Sequence, residues 1–291
     1  MKIVKGFLPL VVLALILNSS CRKKETVEVD NETQSVIDNA IAEQEFMGVI
    51  PAVHNVAIKT KGTGAESVKT AAAQCDSLTL LSGDTLYGQP GHVPPTYLLY
   101  LSNPTCSPIP DNKYRNGHLQ IRLHGRIRTT GSYMVVKMVD CKAANTDPNK
   151  MITYACDSIV VTTVENNATT KVRVFNVKII GGKCQAAAWD TKYSTDRYIR
   201  HEYESTGSTI KVWGTSQGKN RQGRDFTVTV DSSTPLVKRE NCQFISFGIL
   251  KLKPDGFKER VVDYASGTGL DTCDDNATFT VNGNTVSFKL K

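Results

Sequence analysis

Apolar and polar positions alternate along most of this chain, and the alternation changes character at a few points. An unbroken apolar run, interrupted only by Pro9, extends from Phe7 to Leu17. Charged residues without periodicity fill 22–32. From Thr33 to Met47 the apolar residues Val36, Ile37, Ala40, Ile41 and Met47 recur at helical spacing, with Asn31 and Gln34 placed as a capping pair and Gly48 and Pro51 at the end. One short amphipathic helix is expected there, followed by a polar linker up to residue 74.

From Cys75 onward the period becomes 2, broken by turn residues at about every tenth position, which is the pattern of antiparallel strands. Expected strands include Leu98–Leu101, Leu119–Arg128, Ser132–Val139, Ile159–Val164, Val172–Ile180, Tyr198–Tyr203, Ile210–Trp213 and Phe226–Val230. Asn116-Gly117, Gly131-Ser132, Gly181-Gly182, Pro254-Asp255-Gly256 and Asn282-Gly283 supply turn chemistry. Two hairpins are specific: Phe244–Leu252 returning through Val261 and Tyr264, and Ala277–Val281 returning through Thr285–Leu290. The expected fold is mainly β, a large antiparallel meander forming an open sheet or sandwich, with one N-terminal helix. Long connections alternating with helices are absent, which argues against parallel α/β folds.

The first twenty residues read as an address. Lys2 and Lys5, the apolar run and the small residues Ser19 and Ser20 before Cys21 have the layout of a secretory signal. The run is about half the 20 or so residues that a membrane-spanning helix needs. A Cys at that point resembles the lipobox of bacterial lipoproteins, with Asn18 where an apolar residue is commoner. The resemblance implies acylation of Cys21, a membrane partner through the acyl chains, and a body held in water. The other reading is an ordinary signal peptide with Cys21 joining a disulfide. The expected organisation is therefore 1–20 signal peptide, 21–32 tether, 33–74 helix and linker, and 75–291 β-domain.

Composition narrows the function classes. Of the 291 residues 40% are apolar and 22% charged, as in a globular chain, and no low-complexity tract suggests a stalk. Cleavage before Cys21 lowers the formal charge from +7 to +5, too dispersed for a nucleic-acid partner. Arg22, Lys23 and Lys24 would lie against anionic head groups or simply in solvent.

After Cys21, seven cysteines remain, and an exported protein meets an oxidising compartment. Sequence neighbours suggest Cys75 with Cys106, Cys141 with Cys156 and Cys242 with Cys273, leaving Cys184, although connectivity stays open. No close Cys or His pairs suggest zinc. No cofactor is implied.

The candidate binding surface lies on the strand ending at Arg128. Alternation puts Leu119, Ile121, Leu123, Gly125 and Ile127 on one face and His118, Gln120, Arg122, His124, Arg126 and Arg128 on the other. The second face is a row of donors and cations, suited to an anionic glycan or phosphate and extendable by Lys219, Arg221 and Arg224. Its alternative role is a solvated, charged sheet face that resists edge pairing. Trp189, Tyr193, Tyr198, Tyr203 and Trp213 are candidate sugar platforms. Gly214-Thr-Ser-Gln-Gly218 matches a nucleophile elbow, but a strand follows where a helix is required and no His comes after it. Asp271-Thr-Cys-Asp274-Asp275-Asn276 reads as a turn rather than a calcium loop. Glu202, Glu204 and Asp225 are the carboxylates on which a hydrolytic alternative would rest.

The mature chain resembles a β-rich Bacteroidota-type lipoprotein family with no assigned activity. The resemblance rests on Cys75-Asp-Ser-Leu-Thr-Leu, Thr105-Cys106, Arg115-Asn-Gly-His-Leu-Gln-Ile-Arg-Leu-His-Gly-Arg-Ile127 with Gly131-Ser132, Gly218-Lys-Asn-Arg-Gln-Gly-Arg-Asp-Phe226, Asn241-Cys242, Asp263-Tyr264 and Cys273-Asp-Asp-Asn-Ala-Thr-Phe-Thr-Val-Asn-Gly283. It covers Cys75 to the end, about three quarters of the chain, and Cys141, Cys156 and Cys184 are extras to its pattern. It implies a lipid-anchored envelope protein, at the outer membrane, with a binding or structural role. Basic residues follow Cys21 where outward-exported members carry acidic ones, which leaves the leaflet open. The alternatives are a carbohydrate-active or other hydrolytic enzyme and a surface adhesin or glycan-binding module.

Overall fold

The computed structural model describes residues 30, 32–59, 78–84, 91–101, 109, 113–144, 147–204, 207–239, 242, 244–265 and 273–289. Strands dominate: β1 (Leu78–Ser82), β2 (Thr96–Tyr100), β3 (Tyr114–His124), β4 (Tyr133–Ala144), β5 (Ile152–Ala155), β6 (Ser158–Asn167), β7 (Val172–Gln185) and β8 (Asp190–Glu204). They continue as β9 (Gly207–Lys219), β10 (Asp225–Val230), β11 (Leu236–Arg239), β12 (Ile249–Pro254), β13 (Arg260–Asp263), β14 (Asn276–Val281) and β15 (Asn284–Lys289). All belong to one 15-stranded meander in which nearly every strand pairs with its chain neighbour. Each pair is antiparallel, and β15 does not pair with β1 among the described residues. β5 and β6 lie end to end between β4 and β7, parted at Cys156 and Asp157.

Several glycine signals mark bulges within strands rather than turns between them. Gly181-Gly182 lies inside β7, at a register shift against β8. A Cβ on Gly182 would meet Tyr193 O at 2.5 Å and the Phe46 ring at 3.2 Å, so glycine makes room there for a helix side chain. Gly117 plays the same part in β3, at φ +93° and opposite Asp140 O. Asn282-Gly283, by contrast, forms the expected hairpin turn, and both residues have the positive φ of a type I′ turn.

Two helices lie on the inner face of the sheet: α1 (Gln34–Gly48) and α2 (Ile50–Lys59). Pro51 does not end the helical region, because it occupies the first turn of α2, where its missing N–H costs nothing. Asn31 lies outside the described residues. Glu32 caps α1, its carboxylate accepting from Ser35 N at 2.8 Å and Ser35 Oγ at 2.9 Å.

The buried face of α1 differs from the one its apolar period predicts. Ile37 is 48% exposed, whereas Ser35, Asp38, Asn39 and Glu45 are buried with Ala42 and Phe46. The reason lies in the sheet. Glu45 pairs with Lys113 and, at 3.0 Å, with Arg115. Glu43 meets Arg197 at 3.1 Å. Asp38 takes the Arg221 main-chain N–H at 2.8 Å and its guanidinium. Arg260 donates to Glu32 O at 3.0 and 2.8 Å. Burying such charges is tolerable only when each meets a partner.

Apolar packing completes the attachment. Phe46 stacks on Tyr193 with centroids 5.7 Å apart, and Val49, Val53 and Val56 join Leu119, Ile121, Met134, Ile159 and Val177 in the larger core. A second core joins Val36 to Phe226, Val228, Leu250, Leu252 and Phe279 across β10–β14.

Cys242 and Cys273 form a disulfide, as neighbour pairing predicts. Cys141 and Cys156 do not pair: both are free thiols. Cys141 donates to His118 O and Val139 O, and Cys156 is turned toward Met138 O, so each sulfur faces a main-chain carbonyl instead of the other. Burial pushes the Cys141 thiol up to about 11 and those of Cys156 and Cys184 up to about 12, which keeps them protonated. Cys21, Cys75 and Cys106 lie outside the described residues.

Candidate functional site

The outer face of the sheet, opposite the helices, carries the candidate binding row. Leu119, Ile121, Leu123 and Ile127 are buried, and His118, Gln120, Arg122, His124, Arg126 and Arg128 point away from the core. The strand is shorter than its period suggests. It ends at His124, and Gly125 at φ +95° opens a turn that carries Arg126 and Arg128.

β4 extends the row, placing Lys137 opposite Gln120 and Lys142 opposite Asn116. Arg122, Arg126, Arg128, Lys137 and Lys142 make no ion pair among the described residues. The face also holds carboxylates. Asp196 is tied to Lys178 at 3.2 Å and Asn176 at 2.6 Å, and Glu202 to Arg200 at 2.6 Å and Lys211 at 2.7 Å. The Lys211 ammonium, then Arg200, holds the Glu202 carboxyl below its usual range. Asp140, Asp157 and Glu165 are further carboxylates on these strands and their connections, so the positive charge of the row stands among acidic neighbours.

Lys219, Arg221 and Arg224 do not join that patch. They lie at the turn from β9 to β10, with β4, β6, β7 and β8 between them and β3. Lys219 pairs with Asp225 at 3.2 Å, Arg221 stacks on Trp189 at 4.0 Å, and Arg224 covers Phe257 at 4.2 Å.

Cross-strand register reveals a second cationic feature that sequence order conceals. Lys183, Lys192 and Lys219 stand directly opposite one another on β7, β8 and β9, beside a cleft of about 650 Å³ that Gln217, Thr227 and Lys253 help to line. Like charges in such positions are destabilising unless neutralised, and here Asp190 and Asp225 do so.

The aromatic candidates separate into two sets. Tyr193 is buried in the core, Trp189 lies under Arg221, and Tyr203 receives Arg173 over its ring at 4.9 Å. Tyr198 and Trp213 instead stack at 5.7 Å on the outer face. Period reading missed another such pair, His124 and Tyr133, whose rings stack at 4.4 Å. Burial, then the Arg122 charge, holds the His124 imidazole below its usual range. This favours the neutral ring that stacks.

Two of the hydrolytic arrangements do not assemble among the described residues. Ser216, centre of the elbow-like string, lies in the middle of β9, buried, and takes a hydrogen bond from Arg197 at 3.2 Å. Asp225 sits opposite Lys219 and Lys219 opposite Lys192, so Asp225 and Glu202 are about 33 Å apart along the sheet. The side chain of Glu204 lies outside the described residues. Among those residues no cluster of His, Cys, Asp and Glu could hold a metal. Asp274 caps its own turn through Asn276 N at 2.8 Å. No helix among them is long and apolar enough to cross a membrane.

The inner face holds one titratable group of note, His54 on α2. Its ring packs edge-on against Phe175 at 5.1 Å. Burial, reinforced by the positive charge of His201, Arg173 and Arg128, pushes its pKa down to about 4. Unfolded, the imidazole would titrate near 6.5, so between those values the unfolded chain binds the extra proton. The stabilisation is complete above about 6.5 and is lost as pH falls toward 4, a loss of about 3 kcal/mol. Urea titrations at pH 7.5 and 4.5 should show this loss, and His54→Leu should remove that part of the difference. An unchanged difference would contradict the assignment.

No family model, curated protein or solved structure matches this chain.

Proposed function

We propose that this is a lipid-anchored bacterial envelope protein, held through Cys21, that binds an anionic envelope component on the outer face of its sheet without catalysing a reaction. The observation that carries the reading is the basic row of β3 and β4. His118, Gln120, Arg122 and His124 point away from the core, with Lys137 and Lys142 beside them. The signal-like start, the lipobox-like Cys21 and the resemblance to lipoproteins of the Bacteroidota type supply the anchor and the compartment.

Reversal of Arg122, Arg126 and Arg128 to Glu tests the face. Sedimentation with vesicles containing lipopolysaccharide should be strong for the Cys21→Ala chain, which lacks the acyl anchor, and lost when the three reversals are added to it, with the melting temperature unchanged. Equal sedimentation of both would dismiss the face. Cys21→Ala tests the anchor separately: the variant should leave the membrane fraction, and continued membrane retention would argue against lipidation.

A further inference from the structure

Strand register aligns one cross-strand row over much of the outer face. His124 on β3 stands opposite Tyr133 on β4, Tyr133 opposite Thr162 on β6, and Thr162 opposite Asn176 on β7. Asn176 stands opposite Tyr198 on β8, and Tyr198 opposite Trp213 on β9. The row therefore has a stacked aromatic pair at each end and a polar floor between. Tyr133 is 39% exposed and Tyr198 37%. From Tyr133 to Tyr198 is three inter-strand steps, about 14 Å.

Tyr133 and Tyr198 stay more than a third exposed although each stacks on a partly buried ring, His124 for the one and Trp213, which also packs against the second core, for the other. A pyranose ring presents a face of C–H groups to an aromatic plane and hydroxyls around its rim. Two platforms about 14 Å apart, with Thr162 and Asn176 between them, match a short oligosaccharide lying perpendicular to the strands. The Asn176 amide already donates to Asp196 and is held in place. At 8% exposure it forms the floor of the row, beneath the level of the two rings.

The neighbouring row adds charge. Arg122 stands opposite Val135, Val135 opposite Val160, Val160 opposite Lys178, and Lys178 opposite Asp196. Arg122 thus flanks the His124–Tyr133 end, and Lys178, paired with Asp196, flanks the Tyr198 end. We infer that the row from His124 to Trp213 is a track for an acidic oligosaccharide, laid across the strands and stacked at both ends. This rests on the binding reading above and names the ligand class for the same face.

The test uses the mature chain on an array of acidic and neutral oligosaccharides, with calorimetry on the acidic ligands that bind. Tyr133→Ala and Tyr198→Ala should each weaken binding at least about tenfold, equivalent to about 1.4 kcal/mol, and the pair should abolish it. Tyr133→Trp, which keeps a platform, should retain it. Melting temperatures should fall by only a few degrees, since each truncation removes one stacked pair at a partly exposed position. Affinity should rise steeply once the oligosaccharide is long enough to reach both platforms.

Failure to bind any acidic oligosaccharide overturns the inference. So does binding that Arg122→Glu abolishes and both tyrosine variants leave intact, although that result preserves the basic-face reading. Loss of a bound envelope protein in the tyrosine variants, without oligosaccharide binding, would assign the row to a protein partner and overturn the glycan track. Loss of vesicle sedimentation on charge reversal is read independently, so the two ideas fail separately.

Discussion

Glu45→Leu is expected to lower the stability of the folded chain by about 3–5 kcal/mol, because it leaves Lys113 and Arg115 buried without their shared carboxylate. Leucine fills the space, so the loss reports charge rather than a cavity. Urea denaturation followed by far-ultraviolet dichroism measures it. The triple variant Glu45→Leu, Lys113→Met, Arg115→Met should recover most of the loss, since an apolar cluster of similar volume avoids desolvating three charges. A single variant within about 1 kcal/mol of the parent would mean that α1 is not seated by this cluster.

Removing the disulfide with Cys242→Ala and Cys273→Ala is expected to cost about 3–4 kcal/mol, the chain-entropy value for a loop of this length. The bridge spans 31 residues and ties the segment before β12 to the start of β14, across the β12–β13 hairpin. Hydrogen exchange should therefore accelerate most in β12–β15, where the smaller core lies. Equal stability of the parent chain and the double variant would show that the bridge contributes nothing.

The two predictions probe features of different legibility. The Cys242–Cys273 bridge follows from sequence proximity, because the cysteines flank a hairpin whose turn, Pro254-Asp255-Gly256, is local chemistry. The Glu45 cluster does not. Glu45 lies 68 positions from Lys113, and nothing near either residue announces the other. The same logic separates the cysteine outcomes. Cys141 and Cys156 are near in sequence, yet their sulfurs turn to main-chain carbonyls, and that orientation depends on how β4, β5 and β6 meet.

The candidate face was half legible. Alternation along β3 assigns His118 to His124 to one side, because side-chain direction in a strand has period 2 whatever surrounds it. It could not show that the strand stops at His124. Nor could it place Tyr133 beside His124, or Tyr198 beside Trp213, since those contacts depend on pairing between strands.

By itself, the sequence determined what depends on neighbours along the chain: an antiparallel β architecture, its Pro254-Asp255-Gly256 and Asn282-Gly283 hairpin turns, the helix beginning near Thr33, and the inward and outward sides of β3 from His118 to His124. Only the tertiary structure decided which face of α1 is buried, because buried carboxylates are stable there only opposite Arg115, Arg197, Arg221 and Arg260, from distant parts of the chain. It likewise decided that Gly117 and Gly182 are bulges, since close approach of another segment is what excludes a Cβ there. The aromatic row belongs to the same class: local period sets the side of each residue, but register across strands sets its companions.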